Sequence, residues 1–329
     1  MSILAECLRS SWAPGLNEIS GNVTKDLRNW LADEGYQIYA QPRNDEFRTS
    51  FSDNGPFLSA LAADVNRMAT AAYESISQAT KSALFPKSTA WIIIKSYYAS
   101  FFAAHATLRM LGKAVVNLEH QHTRSVNKIA KVFGTWTEDV SPGSFCCELA
   151  SSGREVEWQR FDSSSGGVHE QFWAYFAQEL GRLSDNLLTT RTGMAADNQL
   201  VSVKLAELAG NLHYNSNPKG TWLSGVRNRV NYRHDFGAWY PYRGQSPMGS
   251  VEERLVGGWL SDPVSINLTS HNDRDLRRFQ ATCSFIVATC RVLAADMAER
   301  CSAGRSFHSY GWLAISRLTQ QRSKRHQST

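Results

Sequence analysis

Apolar residues recur at helical spacing along most of this chain. Leu58, Leu61 and Val65 begin a run in which every third or fourth residue is apolar, and this run predicts a helix over residues 56–84. Residues 89–111 are apolar around most of the helical circumference, so this helix is expected at the centre of the core. Further helices are predicted over residues 23–34, 121–132, 169–188, 198–212, 221–233 and 273–301. The pattern therefore predicts a mainly α fold.

The helical pattern is interrupted in residues 134–167. Two short runs with strand composition, residues 145–149 and 156–161, flank the turn Ser-Ser-Gly-Arg, which predicts a β-hairpin insertion. A Ser- and Gly-rich linker follows the second run. The chain is accordingly divided into an N-terminal extension (1–55), the first half of a helical core (56–133), the hairpin and linker (134–167), the second half of the core (168–303) and a basic C-terminal tail (304–329).

Composition narrows the class of protein. With 329 residues, 42 % of them hydrophobic, the chain is globular rather than disordered. The net charge of +5 is compatible with a polyanionic partner. The most apolar stretch contains Lys95, His105 and Arg109, so it predicts a core helix and not a membrane span. We therefore expect a soluble cytoplasmic protein.

The cysteines and histidines do not predict a metal site or a cofactor. The six cysteines include no Cys-x-x-Cys pair, and we expect reduced thiols. His120 and His122 lack a third ligand nearby in the sequence. His105 lies in the apolar helix, where a core histidine with satisfied hydrogen bonds is expected. Neither a phosphate-binding glycine loop nor a metalloprotease motif is present.

The segment 224–236 carries the candidate chemistry. Arg227 and His234 are seven residues apart, which is two helical turns, so both would face the same way roughly 10 Å apart. One copy spaces them too widely for intimate contact. Two copies meeting around a two-fold axis would bring both pairs into one groove, so a homodimer is the expected active form.

These residue types suit metal-independent RNA cleavage. His234, with an ordinary pKa of ~6.5, could move a proton to or from the reacting oxygens. Arg227 could bind the non-bridging phosphate oxygens, and Asn228 could hydrogen-bond to phosphate or ribose. A second group of residues is predicted to bind the RNA substrate: Arg229, Arg233 and Tyr232. The competing interpretation is a solvated helix end whose cations complement the helix dipole.

The segment Arg227-Asn-Arg-Val-Asn-Tyr-Arg-His234 resembles the motif of the HEPN superfamily, an arginine, a polar residue, five further residues and a histidine. Upstream, Tyr97-Tyr-Ala-Ser-Phe101 resembles the second helix of that family. The resemblance implies a HEPN-like helical bundle that dimerises, with Arg227, His234 and Asn228 in the catalytic positions. It further implies an endoribonuclease of antiphage defence or of a toxin–antitoxin pair, with RNA and an antitoxin or defence protein as partners.

Three points stay open at this level. Arg229 also fits the looser spacing of the motif, so either arginine could lead. Phe236 stands where a toxin subgroup has a modified tyrosine, which argues against control by AMP transfer there. The rivals to a nuclease are a non-catalytic HEPN-like module that binds RNA, a nucleotide or a protein, and a helical scaffold that uses residues 144–161 or 237–268 as its interface.

Overall fold

The computed structural model describes residues 2–82, 89–162, 166–189, 194–215, 217, 219–233, 235–239, 258–269 and 275–310, with side chains in the first range described to residue 79. Within these ranges, most of the secondary structure is helical. The α-helices are α1 (Ile3–Leu8), α2 (Leu27–Ala32), α3 (Gly55–Ser82), α4 (Ala90–Met110), α5 (His120–Val132), α6 (Val168–Thr189), α7 (Ala195–Leu212), α8 (Trp222–Arg233) and α9 (Asp275–Glu299). The mainly α prediction is confirmed, whereas the HEPN-like arrangement of the bundle stays a prediction.

Helix α4 lies at the centre of the core, as its apolar circumference predicts. It packs against α3, α8 and α9. Gly112 ends it in the left-handed region, with φ at +75°, where a side chain would also crowd Leu149 and Ala13. Helix α9 is long and apolar enough to span a membrane, but 78 % of its most apolar window is buried inside the fold. Such burial is typical of a core helix in a soluble protein.

The predicted hairpin belongs to a larger sheet. Strands β4 (Gly143–Leu149) and β5 (Glu155–Arg160) form the hairpin, and the described strands order as β1-β2-β5-β4-β3, all antiparallel. The added strands are β1 (Gln37–Ile38), β2 (Glu46–Ser50) and β3 (Lys113–Leu118). Sequence analysis missed β2 and β3 because their partners in the hairpin are distant in the chain, and it missed β1 because two residues carry no alternating pattern. The hairpin is therefore the centre of a five-stranded sheet, not a separate appendage.

One face of the sheet is buried, and aromatic side chains fill it. The Phe47 ring stacks on Trp158 with ring centroids 5.2 Å apart and meets the edge of Phe145 at 5.7 Å. The indole Nε1 of Trp158 donates to Thr49 Oγ1 at 3.2 Å, so its polar atom is satisfied inside the core. Since β2 lies within residues 1–55, the N-terminal extension contributes directly to this core.

Both ends of the described chain also pack onto the bundle. Arg9 binds the buried Asp296 of α9 through two short hydrogen bonds, 2.6 and 2.8 Å long. Ser306 forms a β-bridge with Ser20, and Phe307 is fully buried. Residues 304–310 of the predicted tail are thus folded; the basic stretch after them lies outside the described residues.

A buried polar cluster links α3 to α4. Asp64 pairs with Arg109, Nε to Oδ2 at 3.0 Å, with both side chains 3 % exposed. Arg109 Nη1 also lies 3.1 Å from His105 Nδ1, and the His105 ring stacks on Phe172. Burial lowers the pKa of His105 well below its ordinary value, and Arg109 adds to this effect. His105 is therefore the neutral, hydrogen-bonded core histidine that its position predicts.

Candidate functional site

Helix α8 places Arg227 on its buried face. Leu223, Val226 and Val230 recur at helical spacing and are all buried, and Arg227 lies on the same side of the helix. Only 9 % of Arg227 is exposed. A cation buried to this degree is normally paired with a carboxylate.

No carboxylate of the described residues lies within ion-pair distance of Arg227. Its guanidinium instead packs against two aromatic rings of α4, with the central carbon 5.1 Å from the Tyr97 ring centroid and 5.9 Å from that of Tyr98. Its Nε is buried and has no hydrogen-bond partner in the described parts of the chain. Aromatic faces stabilise this charge only in part, so Arg227 retains unused capacity to bind an anion.

The Tyr97 hydroxyl joins α4 to the start of α6. It lies 2.9 Å from His169 Nδ1, and the indole Nε1 of Trp173 donates to it at 3.1 Å. Burial raises the pKa of Tyr97 to about 12, although Trp173 and Arg227 both act in the opposite direction. Tyr97 is consequently a neutral phenol with a fixed hydroxyl.

His169 stands in the first turn of α6 and is half-buried. Its ring packs against Phe101, with the ring centroids 4.4 Å apart. Burial lowers the pKa of His169, and the neighbouring guanidinium of Arg227 lowers it further. Near neutral pH the imidazole is therefore uncharged, and Arg227 is close enough to influence it.

The other predicted site residues on α8 do not join this cluster. Arg229 Nε binds Asp235 at 2.8 Å, and its guanidinium lies 4.4 Å from the Phe236 ring centroid. Tyr232 is 74 % exposed, and Arg233 is also exposed, because both lie on the solvent side of the helix. Asn228 is half-buried beside Arg227. Of the two candidates for the lead arginine, Arg229 is paired with a carboxylate, whereas Arg227 has none among the described residues.

The segment after α8 departs from a continued helix. Helix α8 ends at Arg233, and Phe236 adopts a positive φ of 66° inside a short 3₁₀ turn. Trp239 Nε1 then donates to Val230 O at 2.8 Å, which folds the segment back onto the helix. His234 itself lies outside the described residues, so the predicted pairing of His234 with Arg227 stays a prediction.

Sequence analysis missed the partners that the fold gives to Arg227. In the sequence, Tyr97 is notable only as part of the segment 97–101 that resembles the second HEPN helix, and neither His169 nor Trp173 is a candidate. The available signal was a histidine at the start of an aromatic-rich helix, residues 169–176. Spacing could not have found it, since Tyr97 and His169 are separated by 72 positions in the chain.

Comparison of the chain with models of protein families, with curated proteins and with solved structures finds no match. Within the ranges that the structure describes, no three His, Cys, Asp or Glu side chains gather in a metal-binding arrangement. The candidate site is thus defined by Arg227, Tyr97, His169 and Trp173, which meet where α4, α6 and α8 converge.

Proposed function

We propose that this protein is a metal-independent endoribonuclease of the HEPN type, in which Arg227 binds the scissile phosphate of RNA. The observation that carries the proposal is a cation that is nine-tenths buried, has an unpartnered Nε and faces no carboxylate among the described residues. Burying a charge without a counter-ion costs stability, which is a common feature of binding sites. A phosphate monoanion supplies the missing charge and accepts the unused N–H groups.

RNA provides the remaining chemistry. Its 2′-hydroxyl attacks the adjacent phosphorus, a 2′,3′-cyclic phosphate forms, and the bond from phosphorus to the 5′-oxygen breaks. His234 accepts the proton of the 2′-hydroxyl or donates one to the leaving 5′-oxygen, and water exchanges the other proton. Asn228 hydrogen-bonds to the phosphate or the ribose. Arg227 stabilises the charge that develops on the non-bridging oxygens. Arg233 and Tyr232, on the exposed side of α8, bind flanking nucleotides.

We also propose an oligomeric state, a partner and a cellular role for the enzyme. A homodimer brings two copies of the Arg227–His234 segment to one groove, and an antitoxin or another defence protein restrains the enzyme until it is needed. The proposed role is that of a toxin or effector in antiphage defence or growth arrest. The support for this context is the sequence resemblance of residues 227–234 to the HEPN motif.

The test is cleavage of total RNA in EDTA. Wild-type protein is expected to cleave, leaving 2′,3′-cyclic phosphate and 5′-hydroxyl ends, and Arg227→Ala and His234→Ala are expected to be inactive. His213→Ala is the matched control, since this histidine is exposed and its hydrogen-bond partner among the described residues is the nearby carbonyl of Ala209. Equal activity in wild type and His234→Ala would remove the proposed site, and complete dependence on Mg²⁺ would remove the mechanism.

A non-catalytic binding module is the second candidate. The small exposed fraction of Arg227, 9 %, favours it, because a single phosphate group reaches a buried guanidinium more readily than the backbone of a folded RNA does. This alternative predicts that RNA or a nucleotide binds and that Arg227→Ala abolishes binding, with no cleavage at any protein concentration. Toxicity on expression, compared between wild type and the Arg227/His234 double alanine variant, separates the two candidates in cells.

A further inference from the structure

We propose that His169 is a second hydrogen-bond donor to the phosphate that Arg227 binds, so that one protomer builds the phosphate site from α4, α6 and α8. This inference rests on the proposed function for the identity of the ligand, an RNA phosphodiester. It adds a residue outside the Arg227–His234 segment. It also gives Tyr97 a role as a positioning residue that acts through His169.

The first step is the direction of the hydrogen bond between Tyr97 and His169. The hydroxyl of Tyr97 lies within hydrogen-bond distance of two groups of the described chain, Trp173 Nε1 at 3.1 Å and His169 Nδ1 at 2.9 Å. An indole N–H can only donate. Of the two groups, His169 Nδ1 is the one that can accept, so the hydroxyl proton of Tyr97 goes to it.

The second step follows from the chemistry of imidazole. A neutral imidazole carries one proton, so if Nδ1 accepts, Nε2 bears the hydrogen. Protonating Nδ1 would break the bond from Tyr97 and place a second cation beside Arg227. The network thus holds His169 as a neutral ring whose Nε2–H is a donor.

The third step concerns whether a ligand can reach Nε2 of His169. Nδ1 faces inward to Tyr97, and Phe101 covers part of the ring, so Nε2 lies on the opposite edge of this half-buried residue. Nε2 has no partner in the described ranges, and it is not among their fully buried unpartnered atoms. Part of the Nε2 surface is therefore in contact with solvent. Arg227 and His169 contact the same residue, Tyr97, and Arg227 is close enough to lower the pKa of His169, so one phosphate is proposed to bind both.

Two variants of His169 separate a donor at Nε2 from a purely structural ring. In His169→Gln the side-chain amide nitrogen reaches the position of Nε2, whereas in His169→Asn the polar atoms stop at the position of Nδ1. The probe is a fluorescein-labelled oligonucleotide of 2′-O-methyl RNA, which keeps the phosphates but cannot cleave itself. We expect His169→Gln to bind within about threefold of wild type and His169→Asn to bind roughly tenfold to a hundredfold more weakly. His213→Asn is the control for loss of an exposed histidine, and it should bind as wild type does.

Cleavage in EDTA is measured on the same proteins, which keeps the two proposals distinguishable. If wild type does not cleave but its binding depends on His169 as described, the ribonuclease proposal fails and the phosphate site stands. If wild type cleaves and His169→Asn binds and cleaves equally well, His169 has no part in the site. Equal weakening in His169→Gln and His169→Asn would also overturn the donor role.

An NMR measurement tests the positioning role of Tyr97. In wild type, the ¹⁵N shifts of His169 should report an unprotonated Nδ1 and a protonated Nε2, with the resonance assigned by its absence in His169→Asn. Tyr97→Phe should shift these signals toward a mixture of tautomers and should weaken binding of the 2′-O-methyl probe. An unchanged tautomer in Tyr97→Phe would refute the proposed hydrogen-bond direction.

Discussion

Replacing Arg227 by methionine should make the protein more stable while it loses its ligand. Methionine keeps a long, unbranched side chain between the Tyr97 and Tyr98 rings but removes the buried charge and the unpartnered Nε. If Arg227 serves to bind a ligand, its removal should raise the free energy of unfolding. If Arg227 serves to stabilise the fold, its removal should lower that free energy.

The magnitude follows from the contacts of Arg227. A buried, unsatisfied polar group costs about 1–3 kcal/mol. The cation–π contacts with Tyr97 and Tyr98 return about 0.5–2 kcal/mol, and a methionine sulfur against the same rings recovers about 0.3–1.5 kcal/mol of that loss. The free energy of unfolding of Arg227→Met should therefore rise by about 1–2 kcal/mol, which corresponds to a Tm higher by roughly 1.5–3 °C.

The assay is thermal and urea unfolding with and without the 2′-O-methyl oligonucleotide. At a ligand concentration of a hundred times Kd, wild type should gain about 2.7 kcal/mol, and Arg227→Met should gain nothing. Arg229→Met is the matched control on the same helix. It loses the ion pair with Asp235 and the contact with Phe236, so it should be destabilised by about 0.5–1.5 kcal/mol.

A loss of more than about 1 kcal/mol in Arg227→Met would refute this reasoning. It would mean that the aromatic contacts outweigh the cost of the unpartnered charge. An equal ligand-induced gain in wild type and Arg227→Met would place the binding site elsewhere on the protein.

Three further predictions concern stability. Burial lowers the pKa of His308 to about 3, whereas the unfolded chain has the ordinary value of ~6.5 and takes up the proton first. The neutral His308 therefore costs the fold nothing above pH ~6.5, and below it the free energy of unfolding falls by up to about 1.4 kcal/mol per pH unit. In urea titrations, the stability of His308→Leu should depend less steeply on acid pH than that of wild type. Asp64→Ala leaves the buried Arg109 without its carboxylate partner and should lower the free energy of unfolding by about 3–5 kcal/mol in urea titrations. Phe47→Ala removes the ring between Trp158 and Phe145 and should cost about 3–5 kcal/mol in the same measurement.

Each of these has a control or a contradicting result. Arg67→Ala removes the half-exposed partner of Asp64 and should cost less than about 1 kcal/mol, so equal losses in Arg67→Ala and Asp64→Ala would contradict the role of the Arg109 pair. Arg48→Ala, on the exposed face of β2, should likewise cost less than about 1 kcal/mol. Identical pH slopes in wild type and His308→Leu would show that His308 titrates normally.

The helices could be predicted from the sequence because helical periodicity is local. The pattern over 56–84 corresponds to Gly55–Ser82, and that over 221–233 corresponds to Trp222–Arg233. The hairpin was also predictable, since its two strands adjoin one turn. Strands β2 and β3 were not, because β2 pairs with β5 and β3 with β4 across long stretches of chain, and only the packed core selects those pairings. Strand β1 is two residues long, which is too short for an alternating pattern.

The candidate site, too, was predictable from the sequence only in part. The sequence by itself determined that Arg227 stands in a short cationic segment that resembles a known motif, and it put His234 in that segment as a prediction that is still open. Only the tertiary structure decided that Arg227 is buried and without a carboxylate among the described residues, that Arg229 is paired, and that Tyr97 and His169 lie beside Arg227. The physical reason is that the burial and partners of a charge depend on which helices pack together, and residue spacing within α8 carries no information about α4 or α6.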